Sequence, residues 1–369
     1  MTVQKIKLVV SDLHMGTGVR KGMFNPLEEF YEDERFAEWL NYYSQVAYPD
    51  IEIELILNGD IFDLLKIPLN NRWIDEITPE ISAEKMRLCL SGHPIFCQAI
   101  KEFLERKDTK LTIIPGNHDF ELVLPQTQKV FLEYCATSET KDKVQFITKT
   151  DTYYLPEGIQ IRHGHCLEAT NRTDMKKPLK YRKGKPPILK LSWGAIFVLK
   201  VLAPAKFERY HIDHIYPLAR LLWAGLIFDF RFSIKIVLKS IYYFIKSRLK
   251  EIWSQPGGWR STWNIIKEEF IVPLNFDQLV EREIKKVRGV HTFIFGHSHM
   301  PRCKVFPDGK LYINTGTWIR MINLDLHHLG QKTGLTYALI EYEEDNIPRT
   351  TLMRWIGEHR LTEKIYYEP

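Results

Sequence analysis

Five apolar stretches rich in β-branched residues, at 6–10, 51–57, 111–114, 159–161 and 292–295, each end on a cluster of Gly, Asp, Asn or His. A buried strand that hands the chain directly to polar and conformationally permissive residues leaves few folds open. The strands must lie side by side, with their clusters gathered beyond one edge. Helical patterns separate them, at 33–43, at 83–105 with a break at Pro94, and at 276–287. This alternation predicts an α/β fold, in which sites sit beyond the carboxyl ends of the strands. Shorter strands, including 311–314, 335–342 and 350–355, are expected to form a second, more antiparallel sheet packed on the first.

The clusters are Asp12-Leu-His14, Gly59-Asp60-Ile-Phe-Asp63, Gly116-Asn117-His118-Asp119, His163-Gly164-His165 and Gly296-His297-Ser298-His299, and they take six of the thirteen histidines. A single D-x-H is weak evidence, but five such groups after five strands point to a metal centre. Two divalent ions about 3.5–4 Å apart can clamp the attacking and leaving oxygens of a phosphoryl displacement and acidify a water between them. Such a pair needs an anionic bridge, imidazoles and a few oxygen donors. Residues i and i+2 of a strand share a side, so Asp12 with His14, and His297 with His299, can face one centre. Imidazole with carboxylate suits Mn²⁺ first, with Fe²⁺ or Zn²⁺ also admissible, better than Ca²⁺.

In this order the motifs resemble the calcineurin-like metallophosphoesterase superfamily. The resemblance spans Asp12 to His299 and leaves 171 to about 286 outside it. It implies a four-layer α/β/β/α sandwich with the dinuclear site at one edge. It also implies that Asp12, His14 and His299 hold one metal, that Asn117, His163 and His297 hold the other, and that Asp60 bridges. His118 would contact the phosphoryl group and protonate the leaving oxygen, oriented by Asp119, and Asp63 and His165 would support the ligands by hydrogen bonds. Within the superfamily the chain is similar to UDP-2,3-diacylglucosamine hydrolases (pyrophosphatases) of lipid A biosynthesis, through S-D-L-H at 11–14, G-D-I-F-D at 59–63, the helical basic insertion and Gly316-Thr317-Trp318. It departs from many of them at His118, where they carry Arg, and at His165, where they carry Asp.

The core is thus expected at 1–170 and 287–369, with a helical insertion at 171–286. The net charge of +5 conceals a strong asymmetry, because 172–253 holds 18 Lys or Arg against 5 Asp or Glu, together with 14 aromatic residues. Three helices are expected there, at 187–203, 217–230 and 233–253. Its longest uncharged apolar run, 191–199, is far short of the roughly 20 residues that span a bilayer. Helices with an apolar and a basic face suit a membrane interface instead. Trp193, Trp223, Phe228, Tyr242 and Tyr243 are candidate contacts for a lipid substrate. Five cysteines without a C-x-x-C pair, and no apolar signal-peptide core near the N-terminus, predict a cytoplasmic protein, peripheral on the inner face of an anionic membrane. The expected partner is a phosphorylated small molecule or lipid.

Two other readings remain open on sequence. A nuclease of the same superfamily would use the basic segment on phosphates, although its cations alternate with Leu, Ile and Phe. A non-catalytic scaffold would have no need of a complete ligand set.

Overall fold

The computed structural model describes residues 3–19, 23–216, 224–254, 258–267, 275–323, 330–344 and 347–357. Sixteen strands are described: β1 (Lys5–Val10), β2 (Glu52–Asn58), β3 (Thr109–Ile114), β4 (Val144–Phe146), β5 (Thr152–Leu155), β6 (Ile159–Arg162), β7 (Leu179–Arg182), β8 (Lys185–Leu189), β9 (Ile215–Tyr216), β10 (Thr292–Phe295), β11 (Arg302–Val305), β12 (Leu311–Asn314), β13 (Arg320–Asn323), β14 (Gly330–Thr333), β15 (Thr336–Tyr342) and β16 (Pro348–Arg354). Two sheets carry the core. One runs β16-β15-β1-β2-β3-β4 and the other β11-β12-β10-β6-β5.

Side-chain alternation along β1 explains the layering. Ile6, Leu8 and Val10 join Leu55, Leu57, Leu111 and Ile113 beneath the helices α1 (Asp33–Asn41), α2 (Pro79–Gly92), α3 (Pro94–Glu105) and α4 (Pro125–Cys135). Val9, Ile56 and Ile114 point the other way, onto Ile161, Ile294 and Ile313 of the second sheet. The outer face of that sheet, Phe293, Phe295 and Tyr312, is covered by Phe276, Val280 and Ile284 of helix Phe276–Ile284. The result is the α/β/β/α sandwich. The break at Pro94 is real: α2 closes at Gly92, and the proline, which cannot continue the preceding helix, opens α3.

Three expectations are corrected. The strands near 335–342 and 350–355 do not extend the second sheet. They are β15 and β16, and β15 pairs antiparallel with β1 in the first. The second sheet is mixed, because β10 lies parallel to both β6 and β12. The helix expected at 187–203 begins only at Trp193, since Lys185–Leu189 pairs with Leu179–Arg182 as a hairpin turning at Gly184, whose φ is +66°. Although the sequence places 276–284 in the insertion, that helix is the fourth layer of the sandwich.

The rest of the insertion rests on the core through Met175, Leu189, Ala195, Val198 and Leu199, packed on Leu65, Ile77, Phe120 and Leu124. Its long helix is Phe230–Ser254. The first half of the helix expected at 217–230, with Trp223, lies outside the described residues, and 224–228 is helical. Among the described residues no helix is long and apolar enough to cross a membrane.

Candidate metal centre

Each motif leaves its strand by a sharp turn. Among the described residues nine non-glycine positions have positive φ, and five of them are Asp12 (55°), His14 (50°), Asp60 (51°), His297 (72°) and His299 (59°). L-residues held there cost about 1–3 kcal/mol each, a strain that recurs where geometry serves chemistry. Close packing fixes the turns. A Cβ on Gly116 would stand 2.1 Å from Asp60 Oδ1 and 2.5 Å from the Asp60 backbone nitrogen, so only glycine fits.

The side chains then converge in two groups. Ligand atoms of Asp12, His14 and His299 lie within 4.8 Å of one another, as do those of Asp60, His163 and His297. His14 Nε2 stands 3.0 Å from His299 Nε2 and 3.9 Å from both Asp12 Oδ1 and Asp60 Oδ2. His163 Nε2 lies 3.1 Å from Asp60 Oδ2. Its Nδ1 donates to the carbonyl of Asn58 at 2.9 Å, which fixes the tautomer and turns Nε2 inward. Asp60 thus touches both groups. Asn117 Oδ1 is buried with no hydrogen-bond partner, as a donor oxygen awaiting a cation would be. The residues present therefore fit two divalent ions.

Electrostatics agree with this grouping. Burial pushes the Asp60 carboxyl up, but His163, His118 and His14 outweigh it and hold it well below the usual carboxylate range. Burial pushes Asp12 up, and Asp60 adds to it. Burial depresses His163 and His118, yet the facing carboxylates, led by Asp60 for the first and Asp63 for the second, raise both to about 9. His165 and His299 are held well below the usual imidazole range, first by burial.

The support of His118 differs from the sequence reading. Asp119 does not face it. Its carboxylate accepts from the backbone nitrogens of Gly116 (2.6 Å) and Ile61 (2.8 Å), tying two motif loops together. Asp63 takes the role instead, with Oδ1 at 2.8 Å from His118 Nδ1 and Oδ2 at 3.4 Å from His14 Nδ1. His165 is fully buried and pairs with Thr173 Oγ1 at 2.8 Å. Sequence reasoning missed Glu168, whose Oε2 lies 2.8 Å from His297 Nε2, because it sits beyond the H-G-H motif without a signature of its own.

A profile of calcineurin-like phosphoesterases matches residues 7–301. The chain belongs to that family. It is a metal-dependent phosphoester hydrolase, in a family whose members work with two metal ions. No curated protein matches it. Among solved structures, this phosphoesterase is similar to a dimetal phosphatase from Danio rerio, at 10% identity and TM-score 0.35, covering 96% of this chain and 99% of that one. A predicted phosphoesterase from Streptococcus pneumoniae TIGR4 aligns at 10% identity and TM-score 0.29, over 96% and 98%. A 5'-nucleotidase from Candida albicans SC5314 aligns at 12% and 0.27, over 94% and 54%.

The proposed substrate contacts divide. Trp193 packs edge-on against Phe244 inside the insertion, 5.0 Å between centroids. With Tyr243, Arg172, Thr173, Lys200 and Lys246 it lines a cavity of about 430 Å³. Phe228 and Tyr242 instead face solvent, 86% and 57% exposed.

Proposed function

We propose that the enzyme hydrolyses a lipid-linked phosphoester or pyrophosphate, similar to UDP-2,3-diacylglucosamine, at an anionic membrane surface. In this reading Asp12, His14 and His299 would hold one ion and Asn117, His163 and His297 the second, with Asp60 serving both. Two divalent ions held there would supply Lewis acidity for hydrolysis at phosphorus. His118 keeps Nδ1 on Asp63 and presents Nε2 to the leaving oxygen. As the bond from phosphorus to that oxygen breaks, the Nε2 proton passes to it. Manganese is the ion this donor set favours first.

The observation that carries the lipid reading is a stripe on the long helix Phe230–Ser254. Phe230, Ile234, Val237, Leu238, Ile241, Ile245 and Leu249 recur mostly at three- and four-residue intervals, so they share one face, and all are 37–60% exposed. Lys235, Lys239 and Lys246 follow the same spacing on the adjoining flank. An apolar face bordered by lysines matches the acyl and phosphate levels of a lipid surface. Nucleic acid, the second reading, prefers a more polar surface than this one.

The test pairs substrates and surfaces. With metals supplied, turnover of UDP-2,3-diacylglucosamine in anionic vesicles should exceed that of a small aryl phosphodiester, and chelation should abolish both. Tight, salt-sensitive binding to DNA with no vesicle binding would transfer the assignment to a nuclease.

A further inference from the structure

We propose that the insertion acts on catalysis through a buried ion square, in which Asp213 and Lys206 are positioning residues that hold His118 by way of Lys66 and Asp63. Lys66 leaves the turn Leu64–Lys66, just after the second motif. Its ammonium meets Glu29 Oε1, Asp213 Oδ2 at 2.6 Å and Asp63 Oδ2 at 3.0 Å, three carboxylates for three N–H donors. Lys206, from the insertion, meets the same Glu29 oxygen at 2.6 Å and Asp213 Oδ1 at 2.6 Å, with His214 Nε2 at 3.4 Å. The corners alternate in charge, and each part of the chain supplies one cation and one anion. Glu29 and Lys66 come from the core, and Asp213 and Lys206 from the insertion.

Lys66, Lys206 and Glu29 are at most 3% exposed, and the Asp213 side chain is 12% exposed. Charges so buried hold their geometry firmly, because removing one leaves its partner uncompensated. The square ends on Asp63, whose other oxygen orients the His118 ring. Without the Asp213 charge, Lys66 has only Glu29 and Asp63 to satisfy, and it shifts towards them. Asp63 and the His118 proton then move together.

This inference rests on the proposed role of His118 as proton donor, and the experiment separates the two. Asp213→Asn is assayed on an alkyl phosphodiester, whose leaving oxygen needs a proton, and on a 4-nitrophenyl diester, which needs little help. Melting temperature and bound metal are measured alongside. A misplaced proton donor should lower kcat about 10- to 100-fold on the alkyl ester, with far smaller changes in KM and in turnover of the nitrophenyl ester. Asp213→Glu should restore most of the loss. In a His118→Ala background, Asp213→Asn should cost nothing further on the alkyl ester. If Asp213→Asn does not fold, Lys206→Arg, which keeps the charge, carries the same test and must show the same leaving-group selectivity. Equal losses on both esters, an additive loss in the His118→Ala background, or no loss would overturn the inference. Full activity of His118→Ala alone on the alkyl ester would instead remove the proton-donor reading beneath it.

Discussion

Substituting serine at Leu238, Ile241 and Ile245 removes the middle of the exposed stripe without touching the metal centre. These residues are 60%, 50% and 51% exposed. Burying a whole Leu or Ile side chain is worth about 1.5–3 kcal/mol, so burying the half that still faces water contributes about 1 kcal/mol at each position. The triple variant should lose about 3 kcal/mol of membrane affinity, or about 10²-fold in partitioning. The lysines on the flank remain, at about 1 kcal/mol each near an anionic surface. Phe230, Ile234, Val237 and Leu249 keep part of the apolar face, so the variant should lean more on the lysines and lose a larger share of its binding in 1 M salt, where the Debye length falls to about 3 Å. The unsubstituted enzyme should keep a larger share of its binding under the same conditions. Co-sedimentation with neutral and anionic vesicles at low and high salt reads both components, and turnover of a soluble aryl ester checks that the active site is intact. Equal partitioning of the variant and the unsubstituted enzyme on both vesicle types would refute the argument, because the stripe would then contribute nothing.

Metal analysis of the loaded enzyme should find two ions per chain, and Asp60→Asn should lower that number because it weakens the bridge between the two groups. His118→Ala should keep both ions while lowering kcat about 10²–10⁴-fold on a substrate with a poor leaving group. Gly116→Ala should behave like a ligand mutant despite its size: its methyl collides with Asp60, so metal content measured on the folded protein should drop. His93 offers a test of stability against pH. Burial lowers it, but Asp33 and Glu28 outweigh burial and raise it to about 10. A histidine raised in the folded state stabilises fully below its unfolded value near 6.5 and loses that contribution as pH climbs through about 10. Denaturant titrations should show His93→Gln removing a fall in stability of up to about 1.4 kcal/mol per pH unit across that window.

The clustering of these side chains was legible in the sequence because each proposed ligand follows a strand with a strong apolar signature, and strand ends are where an α/β sheet gathers polar groups. Partners were harder to read. Asp63 and Asp119 are both carboxylates beside motif residues, and only the path of the backbone decides which of them faces His118. The strands β15 and β16 were recognisable as strands, but periodicity says nothing about which edge a strand joins. Pro186 and Pro187 head an apolar run that reads as a helix, yet Gly184 just before it allows the tight turn that makes a hairpin. Glu29 and Lys66 lie 37 residues apart, and Lys206 and Asp213 lie far beyond them, so the ion square had no local pattern to reveal it.

The sheet order sets a timetable for a chain growing from its amino end. β1 stands between β2 and β15, so the first sheet keeps an open edge until 336–342 has been made. The second sheet waits equally for β10 and β12, which flank each other near its centre. The proposed metal centre draws on His297 and His299. By then 230–254, with its uncovered apolar face, has already been synthesised. Pairings between distant segments form slowly, and surfaces left bare in the meantime are the ones a nascent chain exposes to its surroundings. The order of synthesis therefore presents the amphipathic helix before the chain can hold its metals, so attachment to a surface can precede the capacity for hydrolysis.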